Sequence, residues 1–205
     1  MSLSLFIASG NRGKVTELGQ LCGAYFEQIL CQQDLLGTRE VAETGSTLFA
    51  NARLKCDGFA HLLPRSTFIL ADDSGLFIDA LGGRPGVYSK RYAGAQGTDQ
   101  QVMAKILAEM AGLPWEQRGA VMRCVLAVRD HRGRKHCFEG SCPVWIPEQP
   151  RGTQGFSLDP ILQPRGATQT FAQMSAREKS HYDHRGRAIA AFIAALEQWR
   201  QRGYL

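Results

Sequence analysis

The chain reads TFILADDSG at residues 67–75, an apolar run that leads directly into the adjacent carboxylates Asp72 and Asp73. β-Branched and aromatic residues that stop at a polar, glycine-bounded corner predict a buried strand ending in a loop. Consecutive side chains diverge there, so that one carboxylate can face a cleft while its neighbour braces the loop. Such a pair is suited to holding a divalent cation beside a substrate phosphate. The alternative is an ordinary turn, which Asp-Ser-Gly also favours.

A glycine loop follows the first predicted strand, where the chain reads LSLFIASGNRGK at residues 3–14. The glycines allow the backbone to approach a ligand closely, and the helix that begins near Val15 offers unpaired amides to an anion. Lys14 lies in the first helical turn, where the helix dipole disfavours a cation, so a bound phosphate would account for its position. A Gly/Asn turn with a solvated lysine is the alternative. The loop is not a Walker A motif, which requires glycine at Ala8 and Ser or Thr at Val15.

Length and composition indicate an ordinary globular chain. With 205 residues, of which 44% are hydrophobic and 21% charged, it can bury a sizeable core. We expect residues 1–205 to form a single domain with two lobes, because no linker separates independent domains. No apolar stretch approaches the ~20 residues that a membrane span requires, and the N-terminal residues do not read as a signal peptide. No membrane association is therefore expected.

The cysteines and the net charge indicate which metal sites, locations and partners to expect. The six cysteines form no C-x-x-C pair, which argues against a zinc site and favours a reducing, cytoplasmic location. The net charge of +5 permits a polyanionic partner without requiring one. Basic residues at positions 129–135 surround a predicted hairpin turn, and we interpret them as solvated turn charges. Because no arginine–aromatic interleaving is present, no nucleic-acid partner is expected.

Strand and helix patterns alternate along the chain. Residues 25–30 predict a second strand, residues 48–63 carry one apolar helical face, and Thr98 begins a capping box for another helix. Residues 120–128 and 135–146 predict a long hairpin, and two helical stretches close the chain. This pattern predicts an α/β fold with a mixed central β-sheet, flanking helices and two lobes with a cleft between them.

Several short motifs occur in a specific order and spacing along nearly the whole chain. They are Ser9-Gly10-Asn11-Arg12-Gly13-Lys14, Glu43-Thr44-Gly45, Asn51-Ala52, Ala71-Asp72-Asp73-Ser74-Gly75, Pro85-Gly86-Val87-Tyr88-Ser89, Phe156 with Asp159-Pro160, and Glu178-Lys179-Ser180 before His184-Arg185-Gly186. Together they resemble the inosine triphosphate pyrophosphatase family. The resemblance implies hydrolysis of aberrant 6-keto purine nucleotides (ITP, dITP, XTP) to the monophosphate and pyrophosphate, which cleans the nucleotide pool. It also implies a Mg²⁺ cofactor, a purine nucleoside triphosphate as partner, and a homodimer.

The resemblance implies a role for each matching residue. Asp73 matches the proton acceptor for the attacking water, Glu43 and Asp73 match the magnesium ligands, and Asp72 would support Asp73. Because a ligand and a base need different free oxygens, the division between Asp72 and Asp73 stays open. The implied substrate-binding positions are Ser9, Gly10, Asn11, Arg12, Gly13, Lys14, Lys55, Ser74, Phe156, Ser157, Leu158, Asp159, Lys179, His184 and Arg185.

Charge and stacking explain most of these positions. A triphosphate carries about four negative charges, so cations must surround it before water can attack. The matching cations are Lys14, Lys55, Lys179 and Arg185. Phe156 would stack on the purine, while Asp159, His184 and Arg185 surround its polar edge. The plainer alternatives are a core aromatic at Phe156, a solvated lysine at Lys55, and a simple helix start at His184.

The chain departs from the family pattern at a few places. Ala42 and Ala50 stand where acidic residues are usual, and Ser157 and Leu158 replace a glycine and an aromatic residue beside the base pocket. Asp183 replaces a common serine. The alternatives are therefore a pyrophosphatase with a different base preference or a weakly active nucleotide-binding sensor, with a nucleic-acid-binding module third.

Overall fold

A computed structural model of the protein describes residues 3–35 and 41–205. The helices in these residues are Arg12–Cys22 (α1), Leu48–Phe59 (α2), Asp99–Glu109 (α3), Ala176–Tyr182 (α4) and His184–Gln201 (α5). Among the described residues, none of these helices has the length and apolar character needed to cross a bilayer. The predicted capping box at Thr98 is confirmed, since Thr98 Oγ1 accepts from the Gln101 N–H and Gln101 Oε1 accepts from the Thr98 N–H.

The strands form one mixed sheet. They are Ser4–Ile7 (β1), Gln28–Cys31 (β2), Phe68–Ile78 (β3), Pro85–Gly86 (β4), Gly119–Arg129 (β5), Lys135–Trp145 (β6) and Gln163–Pro164 (β7). Their order is β2-β1-β3-β5-β6-β7, and β4 pairs with β3 off this path. β1 runs parallel to β2 and β3, whereas β4 is antiparallel to β3 and β7 is antiparallel to β6. The predicted mixed α/β class is confirmed.

The chain divides into two compact units. The first unit comprises residues 1–73, 124–140 and 186–205, and the second comprises residues 74–123 and 141–185. Each unit has its own apolar core. The first core includes Leu5 and Ile7 of β1, Leu18 of α1, Phe68 and Leu70 of β3 and Phe192 of α5. The second includes Leu76, Ile78, Ile106, Val144 and Phe171.

The predicted loop at the two carboxylates is wrong, because β3 continues without a break from Phe68 to Ile78. Asp72 and Asp73 therefore lie inside a strand, after the residues that pair with β1 and before those that pair with β4. Gly75 permits the continuation, since a side chain there would collide with the backbone carbonyl of Gly86. The two carboxylates still point in different directions, because successive side chains of a β-strand lie on opposite faces of the sheet.

The predicted hairpin is confirmed by β5 and β6, which are neighbours in the sheet. The turn is closed by Asp130, whose Oδ1 accepts from the backbone N–H groups of Arg132 and Arg134. Arg132, Arg134 and Lys135 are exposed at this turn, as predicted for solvated turn charges. Arg132 and Arg134 lie over the ring of Tyr204, at 4.2 and 4.9 Å from its centroid. The C-terminal residues therefore contact the turn while its arginines stay exposed.

Candidate functional site

The glycine loop leads into α1 as expected. Asn11 is the N-cap of the helix, and its Oδ1 accepts a hydrogen bond from the Lys14 N–H at 3.2 Å. Ser9 Oγ accepts from the Asn11 N–H at 3.2 Å, and the Gly10 carbonyl accepts from Gln33 Nε2 at 3.3 Å. Arg12 is exposed at the helix start, and Gly13 follows it. These side-chain caps fix the loop so that Lys14 extends from the first turn of α1.

Lys14 and Asp72 form a buried ion pair. Lys14 Nζ lies 2.9 Å from Asp72 Oδ2, and the Asp72 side chain is fully buried. Removing Lys14 would take its paired cation away from this buried carboxylate, and breaking a buried pair in this way typically costs up to about 3–5 kcal/mol. The unusual position of Lys14 near a helix N-terminus is therefore explained by a carboxylate on β3.

Lys55 joins two further carboxylates. Its Nζ lies 3.1 Å from Glu43 Oε1 and 3.1 Å from Asp73 Oδ1. The lysine side chain is only 13% exposed, so the alternative of a freely solvated Lys55 is wrong. Lys14, Glu43, Lys55, Asp72 and Asp73 together form what we call the carboxylate–lysine cluster.

Burial and charge act in opposite directions on these groups. Burial raises the pKa of Asp73, the Lys55 ammonium opposes that rise, and Glu43 adds to it. Burial also opposes the charge on Lys55, but Asp72, Asp73 and Glu43 outweigh it and raise the pKa of the lysine. The lysine is therefore held as a cation between carboxylates, one of which takes up a proton more readily than an ordinary aspartate.

The cluster has the donor chemistry for a magnesium ion. Oxygens of Glu43 and Asp73 already converge on one cation, the Lys55 ammonium. Within residues 3–35 and 41–205, no group of three or more His, Cys, Asp or Glu side chains converges as an all-protein metal cage. Magnesium does not require one, because it is commonly held by one or two carboxylates together with waters and substrate phosphates. The residues present fit that mode of binding.

A second cluster, in the second unit, is built around Phe156. Asp159 Oδ2 accepts from the Phe156 N–H and from Lys179 Nζ, both at 2.8 Å. The Lys179 Nζ lies 4.6 Å from the centroid of the Phe156 ring. Lys179 is thus paired with a buried carboxylate, a contact that the sequence did not predict. Gly155 makes it possible, because a side chain at that position would collide with Asp159.

Arg185 completes this second cluster, which we call the Phe156 cluster. Its guanidinium carbon lies 5.7 Å from the centroid of the Phe156 ring, and its Nη2 is 3.5 Å from Ser74 Oγ. Phe156 is half-buried rather than a fully buried core aromatic. The ring is therefore flanked by cations and partly accessible, as a stacking platform requires.

The residues that replace the family pattern have distinct environments. Ser157 has φ of 56°, in the left-handed region where a glycine would be unstrained. Its Oγ lies 3.4 Å from Asp99 Oδ1. Leu158 is 6% exposed and packs in the apolar core of the second unit. The leucine at position 158, which stands where the family usually has an aromatic residue, therefore adds to this apolar core.

Asp183 and His184, the first residue of α5, form a buried pair in which burial lowers the pKa of the histidine. The Asp183 carboxylate contacts His184 Nδ1, and its other oxygen lies 3.9 Å from Arg185 Nη1. Burial opposes ionisation of this carboxyl, but His184, Arg185 and Lys179 together hold its pKa well below the usual range. His184 and Arg185 are more than a helix-start decoration, since both are buried.

The structure gathers the predicted lysines and carboxylates of the first unit into one cluster, and Phe156, Asp159, Lys179 and Arg185 into the other. It leaves Arg12 exposed and places Leu158 in an apolar core, outside both clusters. Asp73 and Ser74 are consecutive on β3 but belong to different clusters. Two contributors were missed by sequence reasoning. Gly155 could have been found only from the close approach of Asp159, whereas Asn51 was noted as part of a motif without a role. Asn51 is fully buried and contacts Asp73.

Comparison with known proteins identifies the family. The model of the Ham1 family matches residues 5–195. The dITP/XTP pyrophosphatase of Geobacillus kaustophilus is 40% identical over 197 residues, which cover 96% of this chain and 94% of that protein. That of Bacillus subtilis is 39% identical over 191 residues, which cover 93% of this chain and 96% of that protein.

Solved structures agree with this result. The Staphylococcus aureus Ham1 protein superposes with a TM-score of 0.81 at 34% identity, covering 95% of this chain and 98% of that one. A Ham1 protein from Coxiella burnetii gives a TM-score of 0.82 at 32% identity, covering 96% and 99%. The resemblance noted in the sequence is confirmed. With a family match over most of its length and relatives that align nearly end to end, the chain belongs to the Ham1 family.

Proposed function

We propose that this chain is a nucleoside triphosphate pyrophosphatase that hydrolyses aberrant 6-keto purine nucleotides, such as ITP, dITP and XTP, to the monophosphate and pyrophosphate. The observation that carries the proposal is the bridge of Lys55 between Glu43 and Asp73, within the same unit as the Lys14–Asp72 pair. The relatives named dITP/XTP pyrophosphatase, which align over nearly the whole chain, support the substrate class.

The carboxylate–lysine cluster would bind the triphosphate and its metal. Three carboxylates face two lysines there, so the cluster has a net negative charge that favours a divalent cation. Glu43 and Asp73 would hold Mg²⁺. When bound, the ion polarises phosphate oxygens and neutralises developing charge. Lys14, Lys55 and the backbone of residues 9–14 would neutralise the remaining phosphate charge.

Asp73 is the group we assign as proton acceptor for the attacking water. A general base works best when its pKa approaches the working pH, and burial raises the pKa of Asp73 in that direction. Asp72 is the less suitable base, because its fully buried side chain is paired with Lys14. We therefore propose that Asp72 holds Lys14 in place while Asp73 accepts the proton.

The Phe156 cluster would bind the base. Phe156 offers a ring for stacking, and the Arg185 guanidinium beside it can donate to purine O6 and N7. An adenine amino group at that edge would face another donor, and leaving a buried donor unpaired costs about 1–3 kcal/mol. Lys179, bound to Asp159, is held beside the ring with its charge partly neutralised.

The proposal also covers the domain organisation, the location and the oligomeric state of the protein. We propose that residues 1–205 act as one catalytic domain, because strands β3, β5 and β6 each contribute residues to both units. We also propose a cytoplasmic location, which the free cysteines of the described residues suit. A homodimer is proposed from the family resemblance alone.

A panel of nucleotides tests the function directly. We expect pyrophosphate release from ITP, dITP and XTP with Mg²⁺ to exceed release from ATP and pyrimidine triphosphates by tenfold or more, about 1.4 kcal/mol of discrimination at one hydrogen bond. Preference for another base would favour a pyrophosphatase with a different base preference, the alternative raised by Ser157 and Leu158 in place of a glycine and an aromatic residue. Nucleotide binding without release would indicate a sensor and overturn the proposed activity.

Replacing Phe156 with Ala tests the stacking platform. Stacking contributes about 1–3 kcal/mol per base and serves ground state and transition state alike, so KM for ITP should rise about 5–150-fold with kcat little changed. Steady-state kinetics on the purified variant measure both constants. Trp115→Ala, which removes a partly exposed aromatic residue of the same unit, is the matched control. A defect confined to kcat would contradict the stacking role.

A further inference from the structure

Asn51 lies in the first turn of α2 and is fully buried. Its Oδ1 accepts a hydrogen bond from the Gly45 N–H at 2.8 Å, and its Nδ2 donates to Asp73 Oδ2 at 3.3 Å. The backbone N–H of Gly45 can only donate, so it fixes the orientation of the amide and leaves the NH₂ group for Asp73. One side chain therefore connects the segment that carries Glu43 to the strand that carries Asp73.

Asn51 and Lys55 are separated by one helical turn, so both side chains lie on the same face of α2. They contact different oxygens of one carboxylate, since Asn51 Nδ2 contacts Asp73 Oδ2 and Lys55 Nζ contacts Asp73 Oδ1. Lys55 also contacts Glu43. The face of α2 thus sets both the rotation of the Asp73 carboxylate and its spacing from Glu43.

The fit between α2 and the segment at Gly45 is tight. A Cβ at Gly45 would lie 2.7 Å from Ala50 Cβ, 2.7 Å from Asn51 Oδ1 and 3.1 Å from the Asn51 nitrogen. Real Cβ contacts are almost never that short, so the segment can approach the amide only with glycine at this position. The closeness gives the Asn51–Gly45 hydrogen bond little freedom.

We propose that Asn51 is a positioning residue for the hydrolysis: it holds Asp73 Oδ2 and the Gly45 backbone at once, and so orients the carboxylate that accepts the proton and spaces it from Glu43. This role rests on the proposed function, because it acts through Asp73 and Glu43. Asn51 is assigned no contact of its own with the nucleotide, so its effect passes through the Asp73 carboxylate to which it donates. Hydrogen-bonding partners of metal-ligating side chains, as Asp73 is proposed to be, typically contribute 10–100-fold to activity or metal affinity.

Asn51→Asp tests this role with little change of shape. The variant keeps an oxygen for the Gly45 N–H but replaces the donor to Asp73 with a second acceptor. We expect kcat for ITP, at saturating Mg²⁺, to fall about 10–100-fold while KM stays within about threefold, because the substrate-binding groups are untouched. A merely structural role would lower thermal stability without this split between kcat and KM.

Two further variants make the result decisive. In Gly45→Ala the added methyl group would collide with the Asn51 side chain and displace its amide, so we expect the same selective loss of kcat. This variant tests the role if Asn51→Asp does not fold. Cys56→Ala, another buried residue of α2, is the control and should keep the wild-type kcat. A wild-type kcat in Asn51→Asp would overturn the proposal. If Asn51→Asp is unfolded, a wild-type kcat in Gly45→Ala would overturn it instead. An inactive wild-type protein would instead overturn the proposed function, so the two failures are distinguishable.

Discussion

Replacing Asp73 with Asn should lower the turnover of ITP about 10²–10⁴-fold, the usual cost of losing a positioned general base. The amide has nearly the same shape but accepts no proton. It also cannot pair as an anion with Lys55, whose Nζ lies 3.1 Å from Asp73 Oδ1. Pyrophosphate release at saturating nucleotide and Mg²⁺ measures this effect, and thermal unfolding of the variant establishes that it is folded.

Two companion variants separate the base from its neighbours. Asp57→Asn removes an exposed carboxylate of the same unit that pairs with Lys135, and we expect wild-type turnover from it. Asp72→Asn breaks the buried pair with Lys14 and should lower stability as well as activity. Turnover in Asp73→Asn within about twofold of the wild type would remove Asp73 from the mechanism, since a base contributes far more than that.

Chelation should abolish activity, and added Mg²⁺ should restore it. The substrate brings about four negative charges to a cluster in which carboxylates already outnumber lysines, so the reaction lacks sufficient positive charge without the ion. The measurement is pyrophosphate release in EDTA, followed by titration with Mg²⁺. Full activity in the chelator would defeat the assignment of Glu43 and Asp73 as metal ligands.

The same experiment has a readout that does not depend on catalysis. Lys55 already contacts both Glu43 and Asp73, so the two carboxylates have a cationic partner when the metal is removed. We therefore expect the unfolding temperature of the nucleotide-free protein to change little in EDTA. A large drop would mean that the ion holds the fold together, and the loss of activity would then reflect unfolding.

The local parts of this molecule could be predicted from the sequence. Strand and helix periodicity gave the mixed α/β class and the hairpin, because apolar spacing reports which face of an element is buried. The loop before Lys14 was recognisable for a similar reason, since glycines between a strand and a helix leave a distinct local pattern. The error at Asp72 has a local cause as well, because polar residues and glycine usually end a strand and here do not.

The sequence by itself determined the fold class, the residue types of the site and the family to which the chain belongs. Only the tertiary structure decided their partners: Lys14 with Asp72, Lys55 between Glu43 and Asp73, Lys179 with Asp159, and Asn51 between Gly45 and Asp73. Local patterns constrain residues a few positions apart, whereas each of these contacts but one joins residues more than ten positions apart and depends on how strands and helices pack. The physical reason is that a buried charge must find an opposite charge or a hydrogen bond, and packing alone determines which one lies within reach.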